Sequence, residues 1–312
     1  MNANLVIADE GQELNMNLIS GNLYAFLTDT TMKDLQYLVN ATIKQIDVAH
    51  WTGESNLNYI INGSLKIDGS GISPESAVVE LVGDFYDLRV SNKPVDKLDL
   101  DLNYNKGLIT GNGNFGSFRV IPDARNLMGD NPDYKVLMVT RNLNLAMLTG
   151  NDSLYSSLNV NARLSGRGID PNTLTADADI KIHNSTFQTI HLDTLLANVG
   201  YRAENIDIDS LLLATESLRL TAHGRYSMNA SSSVKLNASF SGLDEFRAFI
   251  PVDSLETSGT LEANLAGTPD SLKLIASLKI NETRYGSLLL EALQLDANAF
   301  IAHGDTLVHA GI

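Results

Sequence analysis

Histidines and closely spaced acidic residues are the side chains of this sequence that could perform acid–base or metal chemistry. The six histidines are His50, His183, His191, His223, His303 and His309. None of them belongs to a His-Glu-x-x-His pattern or to another spacing that is typical of metal ligands. Most of them stand beside alternating segments at polar positions, so we interpret them as surface histidines.

The acidic residues are plentiful, and some of them are paired. Asp99 with Asp101 and Asp177 with Asp179 have the i, i+2 spacing that places both carboxylates on one face of a strand. We interpret these pairs as solubilising, because they alternate with apolar residues that would occupy the opposite face.

Other motifs of catalysis are missing from the sequence. It contains no Gly-x-Ser-x-Gly nucleophile turn, and its glycine clusters do not introduce a helix, as a phosphate-binding loop requires. The absence of cysteine excludes disulfides, thiolate metal sites and cysteine nucleophiles. We therefore predict a protein that is not an enzyme and that uses no cofactor and no metal ion.

The formal net charge of −15 limits the classes of partner. Nucleic-acid binding depends on Lys and Arg side chains that neutralise phosphates, and docking onto an anionic bilayer surface has the same requirement. We therefore predict no nucleic-acid partner and no electrostatic docking onto a membrane.

A period-two alternation of apolar and polar residues runs along most of the chain and predicts β-strands. The clearest examples are residues 98–105, 158–165, 174–183, 218–222, 236–240 and 293–299. Because successive side chains of a strand point to opposite faces, each segment has one apolar face and one polar face. The predicted fold class is all-β.

Segments rich in glycine and proline are predicted to form turns between these strands, at residues 68–71, 111–114 and 267–270. Helical spacing of apolar residues is limited to residues 32–39 and 246–250. A parallel α/β fold needs crossover helices, and these segments are too short to cover a broad sheet.

The sequence contains an internal repeat. Residues 46–104 align without a gap with residues 143–201, at an offset of 97 residues. A third copy begins near Gly259, with Pro269 at the position that Pro171 holds in the second copy. Each copy starts with a short apolar segment that is compatible with a helix, and it continues with an alternating strand, a Gly/Pro turn and further strands.

The repeat predicts one continuous elongated array rather than separate globular domains. Its parts are residues 1–45 as the end of a preceding repeat, 46–142 as repeat 1, 143–240 as repeat 2 and 241–312 as a truncated repeat 3. We expect the chain to be a piece of a longer array, because the third copy would continue beyond residue 312.

Residues 258–269, Ser-Gly-Thr-Leu-Glu-Ala-Asn-Leu-Ala-Gly-Thr-Pro, resemble the signature of the TamB branch of the AsmA-like superfamily. In that family a short hydrophobic segment precedes a strand that starts with small-Gly-Thr-Leu and ends in a Gly-Thr-Pro turn. Residues 246–251 occupy the position of this segment here. The copy at residues 143–171 resembles the signature more loosely, since Ser156-Ser157 replaces Gly259-Thr260.

The resemblance implies a bridge-like lipid transfer protein of the bacterial periplasm. Members of the family are anchored in the inner membrane by an N-terminal helix, and their long sheet curls into a trough with an apolar inside, a β-taco. They are implicated in moving phospholipids toward the outer membrane and in the assembly of outer-membrane proteins. The implied partners are phospholipid acyl chains and, through regions outside this sequence, an outer-membrane assembly protein of the Omp85 type.

The physics of an alternating sheet leaves two architectures open. The apolar faces must be covered by a second sheet, as in tandem β-sandwiches, or by a ligand, as in a trough with a few short helices. The apolar positions mix Leu and Ile with many Ala, and aromatic residues are only 6% of the chain, which favours an aliphatic wall over a packed core. The tandem-sandwich alternative would fit a cell-surface adhesin or a structural protein.

The apolar strand positions are the predicted lining of the lipid groove. They are Leu98, Leu100, Leu102, Leu158, Val160, Ala162, Leu164, Leu174, Ala176, Ala178, Ile180, Ile182, Leu218, Leu220, Leu236, Ala238, Leu261, Ala263, Leu265, Leu272, Leu274, Ala276, Leu278, Ile280, Leu293 and Leu295.

A second recurring motif is the triplet Asp-Ser/Thr-Leu. Asp and Ser favour turns and Leu can open the next strand, which is sufficient to explain the triplet. It also resembles the O-glycosylation sequence of envelope proteins of Bacteroidota. This resemblance implies that the source is a Bacteroidota-type bacterium. The implied acceptor residues are Ser153, Thr194, Ser210, Ser254, Ser271 and Thr306.

Overall fold

The computed structural model describes residues 2–21, 32, 35–55, 57–90, 93–126, 129, 131–242, 255–285, 288–302 and 305–311. Their secondary structure is almost entirely β, with two five-residue α-helices and one 3₁₀ turn, which confirms the predicted all-β class. The chain divides into two units, unit 1 at residues 1–156 and unit 2 at residues 157–312.

Unit 1 is an open antiparallel ladder whose strands follow one another in chain order. Its strands are β1 (Asn2–Asp9), β2 (Gln12–Gly21), β3 (Gln36–Asp47), β4 (Tyr59–Ser70), β5 (Val78–Val90), β6 (Lys93–Pro94), β7 (Leu98–Asn105), β8 (Leu108–Phe115), β9 (Phe118–Arg125) and β10 (Asp133–Thr140). Each strand pairs with the next, except that the two-residue β6 and the longer β7 both pair with β5. The helices α1 (Val48–Thr52) and α2 (Leu145–Thr149) and a 3₁₀ turn at Asp152–Leu154 complete the unit.

Unit 2 is a second ladder of the same kind. After β11 (Ser156–Ser157), where the units meet in the sequence, its strands are β12 (Val160–Arg167), β13 (Thr175–Phe187), β14 (Ile190–Arg202), β15 (Asn205–Thr215), β16 (Leu218–Ser227), β17 (Ser232–Ser241), β18 (Leu255–Thr268), β19 (Ser271–Tyr285), β20 (Leu288–Leu290), β21 (Leu293–Ala302) and β22 (Asp305–Gly311). The pairing again follows chain order, with β20 and β21 both paired to β19.

Alternation along the strands divides each sheet into an apolar and a polar face. In β18, Leu261, Ala263 and Leu265 are half-buried, whereas the intervening Glu262 and Asn264 are exposed. This is the arrangement that the period-two pattern predicts.

Neither unit has a packed interior among its described residues. The buried hydrophobic residues are Ala41, Ala77, Leu88, Ala124, Leu143, Ala146, Val160, Ala222 and Ala238, six of them alanines. The chain exposes 18713 Å², whereas two compact units of half its mass would together expose about 15,400 Å². The solid two-sheet core of the tandem-sandwich alternative is therefore not present in the described part of either unit.

Several local predictions are corrected by the structure. Residues 111–114, predicted as a turn, lie inside β8, and Gly69 and Ser70 lie inside β4. Leu38 and Val39, which have helical spacing, instead belong to β3, where they pair with Ile19 and Leu18 of β2. The turn at Pro269–Asp270 is confirmed. The predicted helical segment 246–250 lies outside the described residues.

The two helices have the same construction. In α1 the Asp47 side chain accepts a hydrogen bond from the backbone N–H of His50, and in α2 the Asn144 side chain accepts one from Ala146. Each helix ends at a glycine in the left-handed conformation, Gly53 with φ 75° and Gly150 with φ 70°. No helix of the described part of the chain has the length and apolar character that a bilayer crossing requires.

Candidate functional site

The apolar face of unit 2 is the largest candidate site. The register aligns its residues in rows that run across the strands, and residues that pair directly lie on the same face. The first, which we call the leucine row, consists of Val160, Ile182, Leu195, Leu213, Leu220, Ala238, Leu261, Leu278 and Leu295. All nine side chains are half-buried or buried, although no second layer covers them within the described part of unit 2.

The neighbouring row has smaller side chains, and we call it the alanine row. It consists of Ala162, Ile180, Ala197, Leu211, Ala222, Leu236, Ala263, Ala276 and Ala297. A single methyl group projects less far from a sheet than a leucine side chain, so this row is lower than the leucine row at the six strands where it has an alanine.

A third row closes the other side of the alanine row, and we call it the flanking row. It consists of Leu164, Ala178, Val199, Ile208, Gly224, Val234, Leu265, Leu274 and Ala299. Leu164 and Leu274 are 42% and 38% exposed, so this row includes the most solvent-accessible apolar side chains of the three rows. The alanine row is therefore the floor of a shallow apolar groove at β12, β14, β18 and β19, and the larger Ile180, Leu211 and Leu236 interrupt this floor at β13, β15 and β17.

The apolar face of unit 1 has a different composition. Leu98, Leu100 and Leu102 lie on it, and Phe85 pairs with Leu98. The Phe85 ring lies so close over Gly83 that a Cβ atom added to that glycine would be 2.7 Å from the ring. Tyr37 lies over Gly69 in the same way, and burial raises the pKa of the Tyr37 phenol.

Besides a small cavity of about 60 Å³ beside α2, two larger cavities open on the described part of unit 1. The larger, about 790 Å³, has residues of six strands in its lining, from Ile19 on β2 to Leu108 on β8, and it mixes apolar with polar side chains. The smaller, about 350 Å³, has an almost entirely apolar lining that includes Phe85, Leu98 and Leu148.

The polar face carries ion pairs between neighbouring strands. Arg225 donates hydrogen bonds to Asp207, at 2.5 Å from Nε, and this holds the pKa of the Asp207 carboxyl below its usual value. Lys97 lies 3.0 Å from both Asp84 and Asp99, and the two carboxylates raise the pKa of its ammonium group. Both arrangements favour the charged forms of these side chains, so this face is suited to contact with water.

The structure brings the predicted lining residues of unit 2 together on one face. Leu158 and Leu174 precede their strands by one or two residues, and the remaining predicted positions of this unit lie within strands. The prediction missed Leu195, Leu211 and Leu213 of β14 and β15, because consecutive leucines at residues 195–196 and 211–213 obscure the alternation there. It also missed Phe85. The sequence feature that could have identified this residue is its position two residues after Gly83, on the same strand face.

The possible modification sites are dispersed. Ser153, Ser210 and Ser271 are exposed, Thr194 is half-buried in the middle of β14, and Thr306 belongs to β22. Ser254 lies outside the described residues. Modification of these residues stays a prediction.

The histidines do not form a site together. His183, His191 and His223 are exposed on strands, and His309 belongs to β22, while His303 lies outside the described residues. His50 Nε2 lies 2.7 Å from Asp9 Oδ2, and this hydrogen bond raises the pKa of the imidazole. No group of three or more His, Asp or Glu residues in the described ranges is arranged to hold a metal ion.

Comparisons with protein-family models, curated proteins and solved structures find no match to this chain.

Proposed function

We propose that this chain is a periplasmic segment of an AsmA- or TamB-like protein, whose apolar sheet faces carry phospholipid acyl chains between the inner and the outer membrane. The proposed occupant covers the apolar face that no protein layer covers within either described unit. The observation that carries the proposal is the alanine row of unit 2, an aliphatic row across nine strands in which six of the nine residues are alanines.

The direction of this strip fits the proposed cargo. Nine strands at the usual spacing of about 4.8 Å give the row a length of about 38 Å across the strands. An acyl chain that lies along it gains about 0.8 kcal/mol for each methylene removed from water. Because every residue of the row is aliphatic, this gain is similar at every strand, and a chain can move along the row without a deep local minimum.

The polar face supports the same proposal. Its paired charges, such as Arg202 with Asp177 at 2.5 Å, favour contact with water over contact with a second sheet. A segment that has one water-exposed polar face, and one apolar face that shields lipid from water, is suited to the aqueous periplasm. Assistance in the assembly of outer-membrane proteins would use the same apolar faces.

The test is native mass spectrometry of the purified chain, in search of copurified phospholipid. Leu261→Asp places a charge on the leucine row, and Thr260→Asp places the same charge on the adjacent, exposed residue of the opposite face. We expect bound phospholipid in the wild type and in Thr260→Asp, and a loss of most of it in Leu261→Asp. Wild-type protein that purifies without lipid, or equal lipid in the two variants with unchanged circular dichroism, would contradict the proposal and favour a structural or adhesive role.

A further inference from the structure

The smaller of the two larger cavities of unit 1 lies at one end of the apolar face. Ile60 and Ile61 of β4, Leu88 and Val90 of β5 and Phe115 of β8 contribute to its lining, and Leu148 of α2 borders it. Its volume of about 350 Å³ is near the lower end of the range for small-molecule pockets, which fits one hydrocarbon chain better than two.

A glycine allows one aromatic ring of the lining to take its position. Phe85 belongs to the lining, and its ring lies over Gly83, where a Cβ atom would come within 2.7 Å of the ring and 3.5 Å of Leu100. Any side chain at residue 83 would therefore displace the Phe85 ring. The backbone of Gly83 has no left-handed φ, so its small size, rather than its conformational freedom, is what the site requires.

Among the described residues of the lining, Arg89 is the only charged one. It is exposed, and it forms no ion pair with another residue of the described ranges. A cation without a carboxylate partner beside an apolar cavity, in a chain whose net charge is −15, is complementary to a ligand that combines an anionic head with an apolar tail.

We propose that this cavity is a binding site for one acyl chain of an anionic phospholipid, with Arg89 paired to the phosphate of its head group. The inference rests on the proposed function and adds to it a defined site with a preference for negatively charged lipid. Phe85 and Leu148 contact the chain, and Gly83 determines where the Phe85 ring lies.

The experiment measures the binding of two lysophospholipids with the same acyl chain, lysophosphatidylglycerol and lysophosphatidylcholine, to the full chain below their micelle concentrations. We expect wild-type protein to prefer the anionic lipid by about three-fold, the range of a partly solvated ion pair. Arg89→Gln should remove this preference at low salt, and Arg89→Lys should keep most of it. Gly83→Ala should weaken the binding of both lipids.

Gly69→Ala is the matched control. A Cβ atom at residue 69 would be 2.7 Å from the Tyr37 ring, the same distance as that from residue 83 to the Phe85 ring, but Tyr37 lies outside the cavity. Equal head-group preference in wild type and Arg89→Gln, or equal weakening by Gly69→Ala and Gly83→Ala, would overturn the cavity site. If copurified phospholipid still depends on Leu261 in that case, the proposed function stands without this site. If wild-type protein binds neither lysolipid and copurifies with none, both fail.

Discussion

Tyr201 donates its phenolic O–H to the backbone carbonyl oxygen of Pro171, over 2.9 Å. Tyr104 makes the same bond to Pro74, over 2.6 Å, and the sequence separation of donor and acceptor is 30 residues in both pairs. Both prolines belong to the turn that follows the first long strand of each aligned copy. The aligned residues of the internal repeat thus form the same hydrogen bond at an offset of 97 residues.

We expect Tyr104→Phe and Tyr201→Phe each to lower the free energy of unfolding by about 0.5–1 kcal/mol, because the proline carbonyl loses its donor while the ring packing is kept. Urea denaturation followed by circular dichroism measures the change. Tyr86→Phe serves as the control, since Tyr86 is 48% exposed and its hydroxyl bonds to no other described residue. A control variant that is destabilised as much as the other two would show that this bond contributes nothing specific.

The all-β class and the two-faced strands could be predicted from sequence because period-two alternation depends on local chain geometry alone. The glycine-rich residues 111–114 were misassigned for a reason that is not local. Gly111 and Gly113 pair with Leu102 and Leu100 of β7, and glycine there provides room for a neighbouring strand. A sequence pattern does not distinguish this requirement from that of a turn.

The candidate site was predicted only in part for a similar reason. Single strands reveal which side chains share a face, so Leu261, Ala263 and Leu265 were identified. The alanine row depends on register, which joins Ala263 to Leu236 on one side and to Ala276 on the other. Register is set by turn lengths and by bulges such as that between Ile208 and Leu211, and alternation does not encode these.

Gly224 and Gly200 provide a test of backbone constraint within unit 2. Gly224 has φ 130°, and a Cβ atom there would collide with the carbonyl oxygen of Ser233, whereas a Cβ atom at Gly200 would lie 3.3 Å or more from the Asp177, Arg202 and Asp207 side chains. We expect Gly224→Ala to cost about 2 kcal/mol or more of unfolding free energy, and Gly200→Ala to change it by less than about 0.5 kcal/mol. Urea denaturation of both variants measures the difference, and equal costs would refute the assignment.

Filling the alanine row should obstruct the groove without adding a charge. We expect Ala276→Leu to reduce the phospholipid that copurifies with the chain by about half or more, because a larger side chain raises the floor to the height of the leucine row. Thr260→Leu adds an apolar side chain to the opposite face and should leave bound lipid unchanged. Lipid quantification by mass spectrometry on both variants, with matched circular dichroism spectra, decides between a groove and general surface hydrophobicity.

The contact between His50 and Asp9 should make the stability of unit 1 depend on pH near neutrality. The hydrogen bond to Asp9 raises the pKa of His50 above its usual 6.5, so the folded state binds the imidazole proton more tightly than the unfolded state does. The stabilisation is fully present below pH 6.5 and is lost as the pH rises through the higher pKa of the folded state. We expect the difference in melting temperature between wild type and His50→Gln to be larger at pH 6 than at pH 9, and thermal denaturation at both values measures it.

Because the His50 and Asp9 side chains are both about half exposed, 1 M salt should reduce the difference at pH 6. A difference that is independent of pH would mean that His50 acts through packing and not through its charge.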